Sequence, residues 1–349
     1  MSAKIFCRRL PKVECHAHLS GSIPLQVLQE LHKDAQERHP QLGPCPSPSD
    51  YTDLHRSEIT PPFLFFKLFS EHIYYILDTP KAITRATAAV LKAFREDGCV
   101  YLELRTTPRE LPGHSDSFRE YLAAVCDAIE QNDESSMKVR LILTVNWDFE
   151  PEKVKRTVEL AIEARNAGRC IVGMDIAGDP RKSLLRTDEF TRELMRAKAN
   201  GLKLTIHFAE IVEQKPLLEK QLLELTPDRL GHAVFLTPQV QANIVRFKRP
   251  IEICLTSNLK VGSIRSLQEH HFKWAVERQV PVLISTDDTL VFDTTLSEEY
   301  ERALLLLDDD RQKLVSILKE SISCTFCSPE DQADLKQRID QFIASVSNS

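Results

Sequence analysis

The 349-residue chain has no uninterrupted apolar run long enough to span a bilayer, and its opening stretch, MSAKIFCRRL, lacks the apolar core of a secretion signal. Nor is there an excess of positive charge. Lys and Arg total 45 against 51 Asp and Glu, a net charge of -6 with a pI near 6.0, which points away from nucleic acid and anionic membranes as partners. The nine cysteines are an odd number and lie scattered, so a disulfide scaffold is not expected and a reducing compartment is. No fixed-period repeat and no low-complexity linker divides the chain. The nearest approach to a break is HPQLGPCPSPSDYTD, from His39 to Asp53, which reads as an exposed loop. These absences set the expectation of a cytoplasmic protein; one domain over residues 1–349 and a monomer are expected with it.

What is present is a rhythm. With 42% hydrophobic and 28% charged residues the composition is that of a globular protein. Short β-rich runs recur along it: KVECHAH, CVYLELRTT, VRLILTVNW, CIVGMDIAG, LKLTIHFAE, RLGHAVF, IEICLTSN and VPVLISTDD. Between most of them lie stretches with apolar residues at three- and four-residue spacing, such as Pro80–Gly98 and Pro151–Gly168, each opened by Pro and closed by Gly. Strands alternating with helices predict a parallel α/β sheet, and eight such units predict a closed (β/α)8 barrel. A doubly wound open sheet is the rival, but no Gly-rich phosphate fingerprint follows the first strand. An extra apolar helical insertion, TPPFLFFKLFSEHIYYIL from Thr60 to Leu77, follows strand one. It reads as core packing for most of its aromatics, while Phe66 or Phe69 could cover an aromatic ligand at the barrel mouth.

In such barrels the chemistry sits where strand C-termini feed the next loop. The runs end in His16 and His18; Thr106, Thr107 and Arg109; Asn146 and Asp148; Gly178 and Asp179; His207 and Glu210; His232; Thr256, Ser257 and Asn258; and Asp287 and Asp288. Caps and turns account for any one of these endings and poorly for all of them together. Alternate residues of a strand share a face, so His16 and His18 aim one way, either at a metal or into solvent. With His207 and Asp287 they offer three imidazoles and a carboxylate, a donor set suited to Zn2+, and no cysteine lies among the strand ends. Glu210 stands where a short turn could bring it beside such a metal as a proton carrier. His232 could hold the attacking water or be a structural histidine.

The stretches KVECHAHLSGS, HFAE, RLGHAVFL, CLTSN and STDDTLVF, in that order along nearly the whole chain, resemble the adenosine deaminase family of zinc hydrolases. The H-x-E and P-C-x-x-C signature of the cytidine-deaminase type is absent. The resemblance implies a TIM-type barrel of the amidohydrolase kind and hydrolytic loss of an amine from C6 of a purine. It maps one zinc onto His16, His18, His207 and Asp287, the acid that protonates N1 onto Glu210, and the water-orienting histidine onto His232. It further implies that Asp288 accepts a hydrogen bond at N7, that Gly178 N–H donates to N3, and that His18, Asn146 and Asp148 border the substrate.

Within the family, adenosine deaminase itself has Asp where this chain has Ser20. Losing that carboxylate removes repulsion toward a 5′-phosphate. Thr106, Thr107 and Arg109 lie at the mouth, where a guanidinium can fork onto phosphate oxygens, and Lys260 is a second phosphate candidate. Arg109 reads equally as a solvated loop charge. LELRTTPR, CLTSNLK and EHHFKWA resemble the adenosine deaminase-like branch, the N6-methyl-AMP deaminases, and imply a purine nucleoside monophosphate as substrate. Thr289 departs from the family, which often has Pro there. Alternatives are a classical adenosine deaminase, a non-catalytic purine-nucleotide sensor, and a two-metal hydrolase, for which GMDIAGD offers no bridging lysine.

Overall fold

The computed structural model describes residues 1–45, 47, 66–132, 136–185 and 188–347. Eight parallel strands follow one another in chain order: β1 Lys12–His18, β2 Cys99–Thr106, β3 Lys138–Asn146, β4 Ile171–Ala177, β5 Lys203–Phe208, β6 Arg229–His232, β7 Ile251–Ile253 and β8 Val282–Ile284. The ring closes just past β8. His18 N donates to Asp287 O at 3.0 Å and Asp287 N to His16 O at 2.8 Å, so the last strand end is tied to the first. The expected (β/α)8 barrel is therefore the fold. Among the described residues no helix is long and apolar enough to cross a membrane.

The helices form where the sequence punctuates them. Pro80–Glu96 starts with Thr79 Oγ1 accepting from Ala82 N at 3.2 Å and Pro80 in the first turn, where its missing N–H costs nothing. Its buried face, including Ile83, Val90, Leu91 and Phe94, packs on the barrel's outer layer. Pro151–Asn166 likewise carries Pro in its first turn, here after Glu150 and without a side-chain cap. The insertion is helical over 66–76 with a π turn at Phe69–Ile73; residues 60–65 lie outside the described ones, as does much of the 46–65 stretch.

Alternation along β2 decides what reaches the site. Leu102 and Leu104 of β2 face outward, whereas Tyr101, Glu103 and Arg105 face the barrel axis, so the interior is charged rather than filled with branched aliphatics. Arg229 lies between Glu103 and Glu252, and its guanidinium sits 3.5 Å from the Phe326 ring, which plugs the bottom of the barrel. Phe326 belongs to Cys324-Thr325-Phe326-Cys327, a Cys-x-x-Cys spacing that a view of scattered cysteines passes over; both thiols are free.

Candidate active site

The floor of the site fixes the orientation of the histidines above it. Glu252 on β7 accepts from Arg105 Nη2 at 2.8 Å, Arg229 Nε at 2.7 Å and Thr205 Oγ1 at 2.9 Å. Burial would raise its carboxyl, but Arg105 and Arg229 outweigh burial and hold it at about 2. Glu252 is thus an acceptor only, and His16 Nδ1, 2.6 Å away, must donate to it. That leaves a lone pair on His16 Nε2, an atom that is buried and has no partner. Asp175 on β4 holds His207 Nδ1 in the same manner at 3.2 Å, with Arg105 Nη1 at 3.3 Å keeping Asp175 ionised. This is the familiar carboxylate–histidine support that presents a ligand nitrogen to a metal.

The donor atoms converge. His18 Nε2 lies 3.1 Å from His207 Nε2 and 3.4 Å from Asp287 Oδ1, and His16 Nε2 lies 3.7 Å from the same oxygen. Tetrahedral coordination at zinc–ligand distances near 2.0–2.2 Å separates ligand atoms by about 3.3–3.6 Å, so this spacing fits a single ion. Burial lowers His16 and His18 well below the ordinary histidine range, which keeps both imidazoles neutral with lone pairs free. Asp287 is fixed by Ser257, whose hydroxyl donates to Oδ2 at 2.6 Å and leaves Oδ1 to face the histidines. Its backbone φ of 67° turns the side chain inward, beyond the end of β8. The Nε2 atom of His232 is a further neighbour, since donor atoms of His16, His207, His232 and Asp287 all lie within 4.8 Å of one another.

Glu210 follows the left-handed turn at Ala209 (φ 55°), and its N–H donates to Gln214 Oε1 at 2.7 Å. Burial pushes its carboxyl up to about 7 against the opposing pull of His207, and Oε2 has no partner. Burial, then the neighbouring Asp287, raises Asp288 well above the carboxylate range. Two glycines make room here. A Cβ on Gly21 would come within 1.7 Å of Asp288 Oδ1, and one on Gly231 within 2.9 Å of the His16 ring.

These groups open into a cavity of about 460 Å³, lined also by Ser20, Thr107, Arg109, Asn146, Asp148, Gly178 and His18, with Phe66 and Phe69 of the insertion above them. Arg109 rests 4.0 Å from the Tyr74 ring centroid and 5.6 Å from that of Tyr121. Its Nε and Nη1 are buried without a hydrogen-bond partner, so the planar cation is held by rings while its donors stay free.

Two expected substrate contacts are not in this cavity. Thr106 is an outward residue of β2, and its Oγ1 shares a hydrogen bond of 2.7 Å with Tyr121 OH. Lys260 lines a separate cavity of about 420 Å³ with Asp97, Thr289 and Asp293. The cause is local: β7 stops at Ile253, and Leu255–Lys260 coils into a helix that carries Lys260 away, so Thr256, Ser257 and Asn258 are helical rather than strand residues. Lys67 and Tyr74, which the sequence did not single out, do line the mouth. So were Glu252, Asp175 and Arg105 missed; the signal for them was charge at alternate positions inside runs otherwise apolar.

The sequence matches the adenosine deaminase family over residues 11–342. The chain belongs to the adenosine deaminase family. It is 34% identical over 353 residues to the N6-methyl-AMP deaminase of Danio rerio, covering 99% of this chain and 97% of that one. The crystal structure of the Arabidopsis N6-mAMP deaminase superposes with a TM-score of 0.85 at 32% identity, covering 97% of this chain and 99% of that one. The crystal structure of Arabidopsis ADAL complexed with IMP gives a TM-score of 0.84, again at 32% identity, over 96% and 98% of the two chains. The protein is a hydrolase of the deaminase class, and its family is metal-dependent.

Proposed function

We propose that this adenosine deaminase family member hydrolyses N6-methyl-AMP to IMP and methylamine, as one cytoplasmic, monomeric catalytic domain over residues 1–349 holding one Zn2+. One observation carries the reading: a raised carboxylic acid, imidazole nitrogens of His18 and His207 only 3.1 Å apart, and a guanidinium with two unpartnered nitrogens line one cavity, and the unpartnered His16 Nε2 lies 3.7 Å from Asp287 Oδ1 beside it. The relative named N6-methyl-AMP deaminase and the IMP complex of Arabidopsis ADAL support the nucleotide substrate.

His16, His18, His207 and Asp287 would hold the metal, which when bound lowers the pKa of water toward about 7 and so supplies hydroxide near neutrality. Glu210, raised by burial to about 7 and so partly protonated near neutrality, gives its proton to purine N1 as C6 becomes tetrahedral and the ring gains electrons. N7 carries a lone pair, so Asp288 must donate to it rather than accept, and its raised pKa supplies that proton. Gly178 N–H meets N3. At the other end Arg109, Thr107 and Ser20 take the 5′-phosphate, while Asn146, 3.3 Å from Thr107 Oγ1, and Asp148 flank the ribose. A proton-donating Glu210 has no purpose in a sensor.

Purified protein is incubated with N6-methyl-AMP, AMP and adenosine, and IMP, inosine and methylamine are followed by mass spectrometry. IMP with stoichiometric methylamine, and a kcat/KM for N6-methyl-AMP above that for adenosine, is the expected result. Preference for adenosine would transfer the protein to the nucleoside branch.

A further inference from the structure

His232 makes contacts on both sides of its ring, and one backbone amide decides which nitrogen carries its proton. Phe272 N–H donates to His270 Nδ1 at 3.1 Å. A main-chain amide has no alternative role, so His270 Nδ1 must hold a lone pair. His270 is buried and uncharged, held down at about 2 by burial and by His271 beside it, so its one proton sits on Nε2. That Nε2–H faces Asn258 Oδ1 at 3.2 Å, which fixes the Asn258 amide with its oxygen toward His270. The Asn258 Nδ2–H group then faces His232 Nδ1, also at 3.2 Å, and requires a lone pair there. The Asn258 backbone is anchored at both ends, its N–H donating to Cys254 O and its carbonyl accepting from Ile264 N. The His232 backbone is held as well, because its carbonyl accepts from His271 Nε2–H at 2.7 Å.

We infer that His270 and Asn258 are positioning residues that lock His232 as the Nε2–H tautomer, so that it presents a hydrogen-bond donor, not a base or a metal ligand, to the reacting centre. His232 Nε2 stands 3.9 Å from both Glu210 Oε1 and Asp287 Oδ2. Those spans are too long for direct bonds, and an oxygen at hydrogen-bond distance from these atoms would sit off the lines that join them. A hydroxide oxygen there would accept from His232 with one lone pair and aim another at C6, and the proton lost in forming it from water would go to Asp287, or to Glu210 once its own proton has passed to N1. The lock also decides between two ligand sets. His232 lies close enough to be counted with His16, His207 and Asp287, but a protonated Nε2 cannot ligate, so the third imidazole is that of His18.

The test is nitrogen NMR of the zinc-loaded protein carrying ring-15N histidine, in which an N–H nitrogen, an unprotonated nitrogen and a metal-bound nitrogen differ in shift. The expected spectrum gives His232 a protonated Nε2 and an unprotonated, hydrogen-bonded Nδ1. Asn258→Asp, whose carboxylate only accepts, should invert the pattern to Nδ1–H. His270→Leu should mix the tautomers and lower kcat on N6-methyl-AMP about tenfold or more with KM within twofold. His270→Gln, which keeps a donor at the Nε2 position, should restore most of the loss. An unprotonated Nε2 in the parent protein, or a His232 signature and kcat unmoved by His270→Leu, would overturn the proposal. The spectra stand without any substrate, so failure of the N6-methyl-AMP assignment is a separate result: it would abolish the kinetic arm and leave the tautomers readable.

Discussion

The floor and the mouth of the barrel hold similar residue types in opposite conditions. On the floor, Glu103, Arg229, Glu252, Arg105 and Asp175 are fully buried and each charge faces an opposite one. One layer up, His16 Nε2, Glu210 Oε2 and Asp288 Oδ1 are also buried and have no partner. An unsatisfied buried polar atom costs about 1–3 kcal/mol, so a fold that retains several within a few ångströms retains them for something that binds. The floor supplies the rigidity and the tautomers; the mouth supplies the unpaired polar atoms. Charge pairing therefore separates structure from function here better than residue identity does, even though Arg105 Nε and Nη1 on the floor also lack a hydrogen-bond partner.

The contrast is sharpest at Glu210. Glu210→Gln removes a proton and no charge pair, so it should lower kcat by about 10³-fold or more while bound zinc and thermal stability stay as in the parent. Glu252→Gln probes the floor instead. It leaves Arg105 and Arg229 short of a counter-charge and weakens the hold on His16, so stability should fall by about 3 kcal/mol in thermal unfolding. Zinc affinity should drop about 10–100-fold with it. If Glu252→Gln were as stable as the parent, the division between floor and mouth would fail.

Arg109→Ala comes next. Charge-assisted hydrogen bonds of about 1.5–3 kcal/mol predict a loss of about 10–100-fold in kcat/KM for the nucleotide, with nucleoside turnover unchanged. An equal loss on both would make Arg109 a structural cation.

A pH experiment addresses the histidines behind the site. Burial holds His271 at about 4 against 6.5 in the unfolded chain, so between those values the unfolded state binds more protons and stability is lost as pH falls. Its share at pH 5 relative to neutrality is roughly 2 kcal/mol. Glu14, pushed up to about 7 by burial, contributes with the opposite sign in the same range, so the quantity to read is a difference. The stability advantage of the parent over His271→Gln should shrink by that amount from pH 7 to pH 5; a constant difference would contradict the buried neutral imidazole. The smallest effect belongs to Lys260→Ala, which should leave kcat/KM within twofold because Lys260 faces another cavity.

The barrel was legible because each β run carried its own period and the helices their own stops, as Thr79-Pro80 and the glycines after Glu96 and Asn166 show. The site was legible where polar residues sat directly on strand ends, as at His16, His18 and His207. Reading failed where parity or length intervened. Thr106 closes β2 facing outward, and Thr107, the first residue beyond the strand, is the one that reaches the cavity. Lys260 was misplaced because β7 is only three residues long and the chain coils into a helix from Leu255 onward. Tyr74 and Lys67 come from the insertion, whose path over the mouth no local pattern encodes. The chain His270–Asn258–His232 joins β6 to two later segments and could be seen only in three dimensions.

The most direct measurement strips the protein with a chelator and adds zinc stepwise while IMP formation from N6-methyl-AMP is recorded. The account predicts no turnover in the stripped protein and a linear recovery that breaks at about one equivalent per chain. Turnover that survives complete removal of metal, or a break at two equivalents, would contradict it.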